Sequence, residues 1–142
     1  MRKFILFLLM SSTSLAFSGE YPCVFFNITI KNNTANDCQL IQNFVKHGTI
    51  VSTTQALIKI ASGQESQPFE MSEYGFNGPD IVLTYQCGNN QMITIESQKN
   101  ICMNNNAITG SILSRSNIDA TYTKINGDYW KNKKGSIYWT IF

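Results

Sequence analysis

Ile81-Val82-Leu83-Thr84-Tyr85-Gln86-Cys87, then Gly88-Asn89-Asn90-Gln91, then Met92-Ile93-Thr94-Ile95-Glu96-Ser97: this stretch reads as two strands joined by a turn. Both flanks are rich in β-branched and aromatic residues, which suit a pleated surface, and the Gly-Asn-Asn centre supplies turn geometry. It is the clearest hairpin in the chain, and similar signals repeat on either side of it. In Val24-Phe25-Phe26-Asn27-Ile28-Thr29-Ile30-Lys31, alternation puts Phe26, Ile28 and Ile30 on one face and Asn27, Thr29 and Lys31 on the other. Asn32 to Asp37 then reads as a turn.

Cys38–His47 admits two readings. Leu40, Ile41, Phe44 and Val45 fit a helical stripe capped by Gly48, and they also fit a strand ending at His47-Gly48. The alternating context favours the strand. Further strands are expected at Ala56–Ile60, Gln67–Met71, Ile112–Leu113, Ala120–Ile125 and Ser136–Phe142, with Pro68 marking an edge. Gln98–Gly110 is polar and reads as mostly loop. About eight or nine short strands with regular punctuation predict an all-β fold, a single antiparallel β-sandwich.

The chain begins Met1-Arg2-Lys3, followed by the apolar run Phe4–Met10 and the small residues of Ala16-Phe17-Ser18. That is the pattern of a secretory signal peptide over residues 1–18, too short to span a bilayer. A secreted or periplasmic domain over residues 19–142 is therefore expected. Removing Arg2 and Lys3 from 11 Lys+Arg leaves nine basic residues against nine acidic ones. A neutral domain lacks the clustered positive charge that nucleic acid rewards. Heavy use of Asn, Ile and Lys points to an AT-rich, bacterial genome. On that reading the sequons at Asn27 and Asn32 are incidental.

Cys23, Cys38, Cys87 and Cys102 all fall after the signal. An even count in a small exported domain predicts two disulfides, and no Cys-x-x-Cys pair suggests a metal. Four cysteines allow 3 pairings. Bridging Cys87 to Cys102, or Cys23 to Cys38, would make the chain double back across a strand. Long-range bonds such as Cys38–Cys87 fit better.

The order of features now becomes informative: Ile30-Lys31-Asn32, His47-Gly48, Ile60-Ala61-Ser62-Gly63, the strand around Phe69, the Gly75…Gly78 loop, and Tyr85 leading to Ile93-Thr94-Ile95. This layout resembles the small β-sandwiches of the aegerolysin-like and actinoporin-like secreted proteins. The resemblance implies binding to membrane lipids, and in some members help in forming pores. A shorter likeness runs through Tyr85-Gln86-Cys87 and Met92-Ile93-Thr94-Ile95, which is similar to the opening of periplasmic lysozyme-inhibitor domains. It implies an alternative function as an inhibitor of a lysozyme-like hydrolase.

The residues offer little catalytic chemistry. His47 is the sole histidine and has no Gly-x-Ser-x-Gly elbow to serve. Oxidised cysteines supply no thiolate. Glu65, Glu70, Glu73 and Asp80 form a modest acidic stretch that reads as solvated. No phosphate loop, dinucleotide fingerprint or calcium loop is present in the sequence, so no cofactor or metal is expected. The reading is a non-enzymatic binding protein for a membrane lipid, glycan or protein surface of a host or competitor.

Aromatic residues supply the candidate surface. Tyr129-Trp130 precede Lys131, Lys133 and Lys134, and Tyr74 and Phe76 lie in a second loop. Exposed Trp and Tyr favour interfaces, and neighbouring Lys favours anionic groups. In the last strand, alternation puts Trp139 in the core with Ile137 and Ile141. Tyr129 and Trp130 either close one end of the sandwich or meet a partner.

Overall fold

The computed structural model describes residues 22–51, 55–73, 77–102, 107–131 and 133–142. The expected signal peptide therefore lies outside the described residues. After a 3-10 turn at Pro22–Val24 the strands follow in chain order: β1 (Phe25–Asn32), β2 (Cys38–His47), β3 (Thr49–Ile50), β4 (Lys59–Ile60), β5 (Phe69–Ser72), β6 (Asp80–Cys87), β7 (Met92–Lys99), β8 (Ile108–Ser116), β9 (Ala120–Ile125) and β10 (Gly135–Ile141). One helical turn, α1 (Gln55–Ile58), precedes β4.

These strands form two five-stranded sheets. Sheet A runs β3-β5-β1-β10-β9 and sheet B runs β4-β2-β6-β7-β8. The hairpin β6–β7 pairs antiparallel from Asp80↔Gln98 to Gln86↔Met92. It lies in the middle of sheet B, with its apolar face turned to the core and its polar face to solvent. The pairing of β1 with β10 is parallel, from Phe26↔Gly135 to Asn32↔Ile141. Every other strand pair among the described residues is antiparallel.

The core lies between the sheets. Phe26, Ile28 and Ile30 of β1 and Ile137, Trp139 and Ile141 of β10 face Ile81, Leu83 and Tyr85 of β6 and Ile93 and Ile95 of β7, all buried. Burying each such side chain is worth about 1.5–3 kcal/mol. Alternation in the sequence identifies this inward set because its period matches the pleat. Trp139 sits deep in it, and its indole N–H donates to Ser97 Oγ across the sheets at 2.8 Å. Gly110 makes room for it: a Cβ there would stand 2.7 Å from the Trp139 ring and 2.8 Å from Tyr122.

Two disulfides tie the sandwich, Cys38–Cys87 within sheet B and Cys23–Cys102. The long-range pairing expected for Cys38 is present. Because β1 and β10 run the same way, the chain enters both at one end, which we call the entry end. Cys23 precedes β1 there. Cys38 opens β2 just after β1 ends, so its bridge marks the opposite, exit end. Eight residues at about 3.3 Å each put the two ends roughly 26 Å apart.

The Asn32 sequon is closed by the fold. Its side-chain amide donates to Asn36 O and Ile60 O at 2.8 and 2.9 Å, and its Oδ1 accepts from Thr34 N and Thr34 Oγ1. Buried and fully bonded, Asn32 joins β1 of sheet A to β4 of sheet B and offers no amide for glycosylation.

Several expectations need correction. Ala56–Ile60 is not one strand, because the chain turns once through α1 to bury Leu57 before the short β4. Strand intrudes on both ends of the expected loop Gln98–Gly110, since β7 continues to Lys99 and β8 starts at Ile108, extending well beyond Ile112–Leu113. Polar composition hid the end of β7, because Ser97 and Lys99 occupy inward positions where the pattern looks for apolar residues. The helical alternative for Cys38–His47 falls to the strand. That strand is exposed for most of its length, since β4 pairs only with Cys38 and Gln39 and bulges interrupt its register with β6. Pro68 stands just before β5, whose outer neighbour is the two-residue β3.

Candidate functional site

β9 and β10 are joined at the entry end by residues 126–134. The chain narrows there to one bridge, in which Asp128 and Lys133 exchange backbone hydrogen bonds of 2.9 Å. Asp128 organises the turn beyond it. Its Oδ1 accepts from Lys131 N at 3.1 Å, and this bond, more than any other interaction, holds the carboxyl below the usual carboxylate range. Trp130 stands at the apex, 91% exposed, with Tyr129 edge-on at 5.2 Å between ring centroids. At the base, Asn126 Oδ1 accepts from Ile108 N and Lys124 Nζ donates to Ile108 O at 2.6 Å, so the tip is anchored to sheet B.

The lysines do not form the free basic patch that their spacing suggests. Lys131 Nζ lies 3.4 Å from Asp128 Oδ2. Lys134 Nζ lies 2.6 Å from Glu70 Oε2 and 4.8 Å from the centre of the Phe25 ring. Lys133 makes no ion pair among the described residues. Counting Glu70 and Asp128 against the three lysines leaves a net charge of one. The near-complete exposure of Trp130, rather than charge, distinguishes this end of the molecule.

Tyr74 and Phe76 lie outside the described residues. Their flanks are placed: Ser72 pairs with Phe25 at the start of β1, and Asp80 opens β6 opposite His47. The chain thus leaves β5 and rejoins sheet B at the entry end.

The acidic stretch does not converge on a cleft. Glu65 stands opposite Lys31 at one end of β1, while Glu70 pairs with Asn27 towards the other and with Lys134. Asp80 is buried beside Glu96, and burial first and the Glu96 charge second push its carboxyl upward. Glu96 itself pairs with Lys46. His47 is exposed at the end of β2 and makes no hydrogen bond to a serine among the described residues. Tyr85 is buried in the core, as is Cys87, so the short Tyr-x-Cys likeness falls on residues with no surface to present. Among the described residues, no cluster of His, Cys, Asp and Glu could hold a metal ion, and no helix is long and apolar enough to cross a membrane.

Sequence reading missed two groups. Lys99, at the end of β7, is buried and its Nζ donates to Asn100 O at 3.0 Å. At the exit end, Asp37, Gln39, Lys59, Gln86, Gly88 and Asn89 line a cavity of about 300 Å³. These six come from three stretches that only the tertiary fold assembles. The one available signal was the Cys38–Cys87 pairing, which makes Gln39 and Gln86 neighbours.

Among solved structures the two-sheet arrangement has counterparts. Nakanori, described as a lipid binding protein, superposes with a TM-score of 0.65 at 12% identity, covering 83% of this chain and 70% of its own. The fold is shared with a lipid-binding protein. RahU, solved in complex with a Tris molecule, gives 0.59 at 10% identity over 85% of this chain and 97% of its own. IP-1A from Alcaligenes faecalis gives 0.53 at 12% identity over 85% and 91%. No family model and no curated protein matches the sequence. At such identities the likeness is one of fold. It agrees at that level with the resemblance to aegerolysin-like sandwiches.

Proposed function

We propose that this protein is a secreted, non-enzymatic module that docks on a lipid membrane surface through the β9–β10 tip, with Trp130 and Tyr129 entering the interface. The observation that carries this reading is Trp130, 91% exposed at the apex of a hairpin whose base is hydrogen-bonded in place. A tryptophan is costly to leave in water and is at home at the membrane–water boundary, where its ring meets acyl chains and its N–H meets headgroups. The fold shared with a lipid-binding protein supports the reading. Two disulfides fit an oxidising compartment outside the cytoplasm.

The expected attraction to anionic groups becomes secondary, because Lys131 and Lys134 already sit with carboxylates. Insertion of the aromatic pair supplies the affinity.

The chain has two tryptophans, one exposed and one buried in the core. A change in emission on adding vesicles therefore reports on the tip. Added phosphatidylcholine vesicles should shift the Trp130 emission to the blue and carry the protein into the vesicle pellet. In Trp130→Ala both changes should disappear, with the circular dichroism spectrum unchanged. Equal pelleting of the variant and the parent would overturn the proposal.

A further inference from the structure

At the exit end, remote from the aromatic tip, the outer face of sheet B carries a row of polar side chains. Lys59 of β4 pairs with Gln39 of β2, and Gln39 pairs with Gln86 of β6. Residues directly opposite one another across a sheet point to the same side, so one ammonium and two amides stand in line at about 4.8 Å intervals. The neighbouring row, Cys38 and Cys87, points into the core and is joined by a disulfide. That bond fixes the spacing of Gln39 and Gln86.

Asp37 closes one side of the row. Its Oδ2 meets Lys59 Nζ at 2.8 Å and its Oδ1 accepts from Ser62 N at 3.0 Å. The Lys59 bond first, and the Ser62 bond second, hold its carboxyl below the usual range. Gln86 Nε2 donates to Gly88 O at 3.2 Å, which orients that amide along the 88–91 turn. Asn89 completes the rim.

The chemistry of the lining selects among ligand classes. The single cation is already balanced by Asp37, so an anion gains little there and a cation gains no more. No apolar side chain lines the cavity to hold a hydrophobic group. Amide N–H groups and an ammonium donate, while amide oxygens and a carboxylate accept, and they alternate over a few ångströms. A ring bearing several hydroxyls, each both donor and acceptor, matches such a set. The site is an open depression lined by exposed side chains, and its volume of about 300 Å³ has room for one such ring.

We infer that the Asp37–Gln39–Lys59–Gln86–Asn89 cavity binds a neutral sugar residue. The site is independent of the membrane reading, since it lies at the other end of the sandwich. With no aromatic platform, its affinity for a single sugar is on the order of millimolar, as befits a ligand of few atoms.

The test is a titration of isotopically labelled, disulfide-intact protein with D-glucose, D-galactose, D-mannose and N-acetyl-D-glucosamine, followed by amide NMR. At least one sugar should give saturable shifts confined to Gln39, Gln86, Asn89 and their neighbours. Gln86→Ala and Gln39→Ala, both at exposed positions, should weaken that sugar at least tenfold with the rest of the spectrum retained. Gln98→Ala, on the same face towards the entry end, should leave binding unchanged, and so should Trp130→Ala. Absence of saturable shifts with all four sugars, or shifts indifferent to Gln86→Ala and Gln39→Ala, would overturn the inference.

Discussion

Lys99 is the residue whose placement is most at odds with its chemistry. It is 1% exposed at the end of β7, on the same side as Ile93, Ile95 and Ser97. Burial pushes its ammonium down to about 8, because the charged form loses its hydration. The folded protein thus binds fewer protons than the unfolded chain between about pH 8 and the ordinary lysine value of 10.5. Stability should therefore rise with pH across that window, and below it the buried charge is a standing cost. Lys99→Met keeps the length of the side chain and removes the charge. The variant should be more stable than the parent at pH 7, and its midpoint in urea should lose the upward slope above pH 8. A parent midpoint that stays flat between pH 8 and 10 would show that Lys99 remains hydrated in the native state.

Among the elements, the tip hairpin shows how far sequence alone reaches. The strands Ala120–Ile125 and Ser136–Phe142 on either side of it were legible because hairpins are local. The ion pairs were not. Glu70 is 64 residues from Lys134, and nothing in the local pattern brings them together. The same limit hid the exit-end cavity, built from Asp37–Gln39, Lys59 and Gln86–Asn89. Likewise the inward face of β6 was plain from Ile81, Leu83 and Tyr85. The extent of β8 was not, since Ser111, Ser114 and Ser116 face solvent at an edge where pairing, rather than burial, makes the strand. The charge balance at the tip carries its own prediction. Replacing Lys131, Lys133 and Lys134 by Gln together should change partition to phosphatidylcholine vesicles by less than about twofold, because lysine attraction needs anionic lipid and this lipid surface carries no net charge. A loss comparable to that of Trp130→Ala would mean that charge, and not the aromatic pair, holds the protein to the surface.

At the scale of the whole molecule, the two disulfides divide the task of holding the sandwich. Cys23–Cys102 spans 79 residues and Cys38–Cys87 spans 49. Loop-closure entropy grows only with the logarithm of length, so each should contribute about 4 kcal/mol by restricting the unfolded chain. Cys23→Ser with Cys102→Ser, and separately Cys38→Ser with Cys87→Ser, should lower unfolding free energy in guanidinium by similar amounts. A loss several-fold larger for one pair would show that its bridge holds native geometry as well as limiting the unfolded chain. The general architecture was legible from the rhythm of strands and turns. The parallel union of β1 and β10 was not, because no local pattern records which distant strands meet.

That union has a bearing on the order of events in the life of the chain. The first strand lies against the last, in the middle of sheet A rather than at its rim. While the polypeptide is being made, β1 has only β5 available as a neighbour until β10, far later in the sequence, follows. Sheet A can close only once Gly135–Ile141 is free of the ribosome. Until then the inward residues of β1 lack Ile137, Trp139 and Ile141 beside them. Closure then sets two strands from distant parts of the sequence side by side.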